Sequence, residues 1–95
     1  TPAVFESATT AYTSVAALDS SKAVVTYQDA GNSSYGTACV LSISGTTVTA
    51  GTPAVFESAN TYYISVAVLG SSKAVVTYQD NGNSNYGTAC VLSNM

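Results

Sequence analysis

Lys22-Ala23-Val24-Val25-Thr26-Tyr27-Gln28-Asp29 carries β-branched and aromatic side chains at both odd and even positions, and the same residues return as Lys73-Ala74-Val75-Val76-Thr77-Tyr78-Gln79-Asp80. Apolar residues of both parities mark a strand covered on both faces. Each copy is broken by a turn cluster, Ala30-Gly31-Asn32-Ser33 in the first and Asn81-Gly82-Asn83-Ser84 in the second. Upstream, Tyr12 to Leu18 is a short apolar run stopped by Asp19-Ser20-Ser21, and downstream Tyr35 to Ile43 is a third run ended by Ser44-Gly45. A long fourth segment, Thr46 to Glu57, passes through Gly51 and Pro53. Proline donates no ladder hydrogen bond, so a bend and an edge position are expected there. No segment has helical period, and the chain reads as all-β.

The echo extends beyond the strand. Thr1 to Ser44 aligns without a gap on Thr52 to Met95; the pairs that differ are Thr9/Asn60, Ala11/Tyr62, Thr13/Ile64, Ala17/Val68, Asp19/Gly70, Ala30/Asn81, Ser34/Asn85, Ile43/Asn94 and Ser44/Met95. The chain is therefore organised as residues 1–51 and 52–95, two equivalent units of a size that rarely buries enough apolar surface to stand alone. A repeat of this length filled with strands points to a propeller or a stacked array.

Composition narrows the function. Hydrophobic residues make up 46% of the 95 and charged residues 7%, which is the opposite of a disordered chain. With two lysines, no arginine, no histidine and a net charge of -3, the chain lacks the cations that nucleic-acid binding requires. No run approaches the roughly 18 apolar residues of a membrane-spanning helix. The start at Thr1, without methionine or a signal-like core, is the start expected of a mature, excised or engineered product. Cys39 and Cys90 are equivalent positions, expected to lie too far apart for a disulfide and to serve as small buried hydrophobes. Abundant Ser, Thr, Asn and Tyr with little charge favours an extracellular or surface-associated setting.

Ala23 to Asp29 with Tyr35 to Ala38, and again Ala74 to Asp80 with Tyr86 to Ala89, carry a resemblance. The pattern Val-Val-Thr-Tyr-Gln-Asp, Gly, Asn, Ser, then Tyr-Gly-Thr-Ala resembles the short, tryptophan-free repeats of the β-propeller superfamily found in secreted, surface and phage-related proteins. It implies two four-stranded antiparallel blades per chain. The first unit opens with Thr1 to Glu6, a copy of the end of the fourth strand, and the second stops after its third strand. Two blades cannot close a ring of four to eight. The terminal strand is then expected to complete a blade on a neighbouring protomer, giving a homo-oligomer, most readily a trimer, with a dimer, a tetramer or an open filament as other outcomes.

Catalysis is not expected, because no nucleophile stands beside a plausible base and the carboxylates are only Glu6, Asp19, Asp29, Glu57 and Asp80. No cofactor or metal is implied. The ligand site expected is the loop bearing Asp29, Asn32 and Tyr35 and its copy bearing Asp80, Asn83 and Tyr86. Acid, amide and phenol groups there suit a sugar, although Asp, Asn and Gly equally build a turn. Tyr27 and Tyr78 are expected in the core or an interface. The function expected is a non-catalytic binding or adhesion module, lectin-like, with weak multivalent carbohydrate sites; the alternative is a structural ring or filament subunit without a ligand.

Overall fold

The computed structural model describes residues 2–93, which form an all-β antiparallel sheet. The first repeat contains β1 (Thr10–Asp19), β2 (Lys22–Asp29), β3 (Tyr35–Ser44) and β4 (Thr47–Ala50). Residues 52–95 contribute β5 (Ala54–Gly70), β6 (Lys73–Asp80) and β7 (Tyr86–Leu92). Strand order is β1-β2-β3-β5-β6-β7, with β4 also on β3. Short 3-10 turns at Ala30–Asn32 and Asn81–Asn83 close the β2–β3 and β6–β7 hairpins.

The segment expected as one bent strand from Thr46 to Glu57 is divided between two strands. β4 pairs with the far end of β3 through Leu41↔Ala50 to Ser44↔Thr47, and the start of β5 pairs with its near end through Thr37↔Val55 and Ala38↔Ala54. Gly51, Thr52 and Pro53 fill the gap, so the missing proline N–H interrupts no ladder. Beyond Asn60, β5 changes partner and pairs with β6 from Thr61↔Asp80 onward. One strand of the second repeat thereby extends the sheet of the first and opens its own.

The sheet folds over along β5, and the two repeats pack front to back. Leu18, Val24 and Ala38, with Ala16 and Val40, meet Val66, Val68, Ala74 and Leu92 of the second repeat. Those second-repeat residues are equivalent to Val15, Ala17, Ala23 and Leu41, which lie on the opposite face of the first repeat from Leu18 and Val24. Each fully buried aliphatic side chain here contributes about 1.5–3 kcal/mol. The outer faces are open in part: Phe5 and Ala50 cover Val25, Tyr27 and Cys39 on the first repeat's outer face, but not the rest of it. Val15 is 62% exposed on one, and Leu69 and Val91 are 59% and 56% exposed on the other.

Residues 2–9 form no strand, and β7 has no partner on its outer side among the described residues. Even so, the N-terminal segment lies on its own repeat as Pro53 to Asn60 lies on the second. Phe5 meets Tyr27 with ring centroids 5.1 Å apart, and Phe56 meets Tyr78 at 5.2 Å. Cys39 and Cys90 are free thiols, Cys39 buried and Cys90 half-buried.

Candidate functional site

Asp29 and Asp80 stand at the ends of β2 and β6, where each carboxylate accepts a hydrogen bond from the backbone N–H two residues on: Gly31 at 3.0 Å and Gly82 at 2.9 Å. Both aspartates are buried, at 8% exposure. The sequence Asp-x-Gly-Asn-Ser folds this way because an Asp side chain reaches its own backbone more readily than any distant group. Register pairs Asp29 with Tyr35 and Asp80 with Tyr86, so each aspartate and tyrosine close one hairpin, with exposed Asn32 or Asn83 in the turn between. The hairpin thus unites each sequence-named trio at one end of its repeat, while the carboxylate is engaged within the turn.

The glycines of these turns do not supply the left-handed backbone. That conformation falls to Ser33 and Ser34 (φ 55° and 60°) and to Ser84 and Asn85 (φ 56° and 62°). Gly31 and Gly82 are instead required by close packing: a Cβ would come within 2.5 Å of the Ala8 Cβ at Gly31 and within 2.6 Å of the Ala59 Cβ at Gly82.

The other carboxylates are similarly engaged. Glu6 accepts from the Tyr27 hydroxyl at 3.0 Å and Glu57 from the Tyr78 hydroxyl at 2.9 Å. Burial first, and then these glutamates, push both phenols well above the usual tyrosine range. Asp19 accepts from the Ser21 N–H at 2.8 Å, the main reason its carboxyl is held below the usual range. Among the described residues, no group of three His, Cys, Asp or Glu side chains gathers as a metal site. No helix among them is long and apolar enough to cross a membrane.

The two hairpins differ in what covers them. Gly36, Thr37 and Ala38 are buried under β5, and the Gln28 side-chain amide donates to the Thr61 carbonyl at 2.8 Å. At the equivalent place in the second repeat, Gln79, Asn85, Gly87 and Ala89 line an open depression with Tyr63 and Tyr78. Tyr35 is half-buried, whereas Tyr86 is 62% exposed.

A tyrosine cluster was only partly legible in the sequence. Tyr12 packs on Tyr63 at 5.2 Å and on Tyr62 at 5.8 Å, bringing the start of β1 against the middle of β5. Tyr12 and Tyr63 have φ of 55° and 54°, at irregularities in the pairing of β1 with β2 and β5 with β6. Left-handed backbone at a bulky residue costs about 1–3 kcal/mol. The bulge leaves Tyr12 40% and Tyr63 67% exposed. The sequence signal is the tyrosine repeated just before Thr13-Ser14 and Ile64-Ser65; the contact between repeats carries no local signature.

In comparisons with known proteins, the chain matches no family model, no curated protein and no solved structure.

Proposed function

We propose that this chain is a non-catalytic binding module whose copies associate head to tail into a closed β-propeller, two blades coming from each chain. The observation that carries this reading is the front-to-back packing of the repeats. The seam inside the chain joins one face of the first repeat to the opposite face of the second, leaving one unpaired face of each kind at the two ends. Such a contact is heterologous, and repeating it generates a ring when the rotation closes and a filament when it does not. The engagement of all five carboxylates in turns or tyrosine hydrogen bonds supports a non-catalytic role.

Exposed Tyr12, Tyr63 and Tyr86 favour carbohydrate as ligand, because a tyrosine offers an apolar face and a polar tip to a sugar ring. Multiplied around a ring, weak sites gain avidity without any strong individual contact. Light scattering after size exclusion tests the assembly: a discrete mass that is a multiple of 9.6 kDa is expected, and a monomer at every concentration rejects it. Glycan-array binding lost in Tyr63→Ala or Tyr86→Ala supports the sugar reading, and blank arrays on the intact ring leave a structural subunit in its place.

A further inference from the structure

The seam inside the chain is a template for a seam between chains. At the inner seam, a Cβ on Gly36 would come within 2.7 Å of the Phe56 ring and 3.0 Å of the Thr61 hydroxyl, so only glycine admits β5 so closely. The Gln28 amide donates to the Thr61 carbonyl, and the Thr61 N–H donates to the Ser34 carbonyl at 3.2 Å. The segment that fills this place is Ala54 to Thr61, and its copy is Ala3 to Thr10.

Both halves of a second such seam are present and unused. Among the described residues, nothing outside its chain neighbours lies within 4 Å of a Cβ added at Gly87 and no strand pairs with the outer edge of β7, while Gln79 lines the open depression beside it. The N-terminal segment already makes the three contacts that hold its counterpart on the second repeat. Phe5 lies on Tyr27, Glu6 accepts from the Tyr27 hydroxyl, and Ala8 presses on Gly31, yet residues 2–9 pair with no strand.

We propose that β7 of one chain accepts Ala3 to Thr10 of a second copy as its next antiparallel strand, in the register Ala89↔Ala3, Thr88↔Val4, Gly87↔Glu6 and Tyr86↔Thr9. This register copies Ala38↔Ala54, Thr37↔Val55, Gly36↔Glu57 and Tyr35↔Asn60. The Phe5 ring of the second copy then sits over Gly87, the Gln79 amide donates to its Thr10 carbonyl, and its Thr10 N–H donates to the Asn85 carbonyl. Phe, Glu, Thr, Gly and Gln are the same in both repeats at these positions. The substitution of Ser34 by Asn85 leaves the seam's use of that residue intact, since only its backbone carbonyl is needed and both residues hold φ near 60°. Strand addition to a free edge supplies main-chain hydrogen bonds for affinity and side-chain fit for register. The inference rests on the self-association proposed above and adds to it the strand that docks and its register.

The test is Gly87→Val measured beside the unaltered chain. In a lone chain the new side chain meets open space, so the circular dichroism spectrum and melting curve should be preserved, while Gly36→Val disrupts the fold itself. Where the unaltered chain assembles, Gly87→Val should remain at 9.6 kDa. Mixed with the unaltered chain it should act as a terminator, because it still offers its Ala3 to Thr10 strand but cannot accept one. Gln79→Glu, at a half-buried side chain, removes the amide donor and should weaken assembly by about tenfold or more. Assembly of Gly87→Val and of Gln79→Glu at the unaltered mass overturns this register while leaving self-association standing. An unaltered chain that is monomeric throughout overturns both.

Discussion

Tyr27 and Tyr78 show how one side chain can serve the core and still need a polar partner. Each ring is buried while its hydroxyl donates to a glutamate from the segment lying across it. Removing the hydroxyl with Tyr78→Phe should cost about 1.5–3 kcal/mol, the range for a hydrogen bond to a charged group, and chemical denaturation measures it. Burial also raises the thiols of Cys39 and Cys90, so four groups keep their protons in the folded chain at pH values where the unfolded chain has lost them. Above about pH 8.5 for the cysteines and about 10 for the tyrosines, the unfolded state therefore binds fewer protons and stability must fall as pH rises. Melting temperatures recorded from pH 7 to 11 should stay level at first and then drop, and Tyr27→Phe with Tyr78→Phe should shallow the upper part of the drop. Thr26 is the reverse case: its hydroxyl is buried without a hydrogen-bond partner among the described residues. Thr26→Val keeps the shape, removes the orphaned group and should stabilise the chain by about 1 kcal/mol. The equivalent Thr77 is exposed in the lone chain, so Thr77→Val has no such gain there.

Strands were legible where chemistry is local. Lys22 to Gln28 and Tyr35 to Ile43 differ from β2 and β3 by single terminal residues, because the Asp19 and Asp29 carboxylates bond the backbone two residues on and Gly45 turns the chain with a left-handed φ of 61°. β5 was not legible as a single strand. Ser58, Ala59 and Asn60 fall between the segment read as Thr46 to Glu57 and the copy of the Tyr12 to Leu18 run, and they are extended because β3 holds one end of the strand and β6 the other. The turn role of Asp29 and Asp80 could be read from sequence, but the need for Gly31 and Gly82 could not, since it depends on Ala8 and Ala59 from distant segments. That dependence separates two otherwise equivalent substitutions. In both, the added methyl meets an alanine Cβ fixed to backbone, which cannot swing aside. Gly82→Ala must displace part of β5 and should cost about 1–3 kcal/mol. Gly31→Ala pushes on a segment with no strand partner and should instead release residues 2–9, seen as faster amide exchange there with a smaller loss of global stability.

At the scale of the molecule, the arrangement turns on two exposed faces that differ in kind. Val15 lies on the face equivalent to the one the second repeat buries through Val66, and Leu69 on the face equivalent to the one the first repeat buries through Leu18. A chain with the same face at both ends would close as a two-fold dimer; this one presents complementary faces, so every added copy restores the face it covers. Assembly should make the melting temperature rise with protein concentration, because copies that bind only the folded state stabilise it by mass action. The decisive outcome lies in mixing two variants. Val15→Glu and Leu69→Glu each replace an exposed side chain, so the lone chain folds, and each places a charge on one seam that would have to be desolvated without a partner. Alone, each variant has one intact face and no complementary face to meet, and should stay monomeric. Together, the intact Leu69 face of the first should take the intact Val15 face of the second, and growth should stop there at a mixed dimer. Light scattering distinguishes this result from two-fold pairing of like faces, in which one variant would dimerise alone and mixing would add nothing.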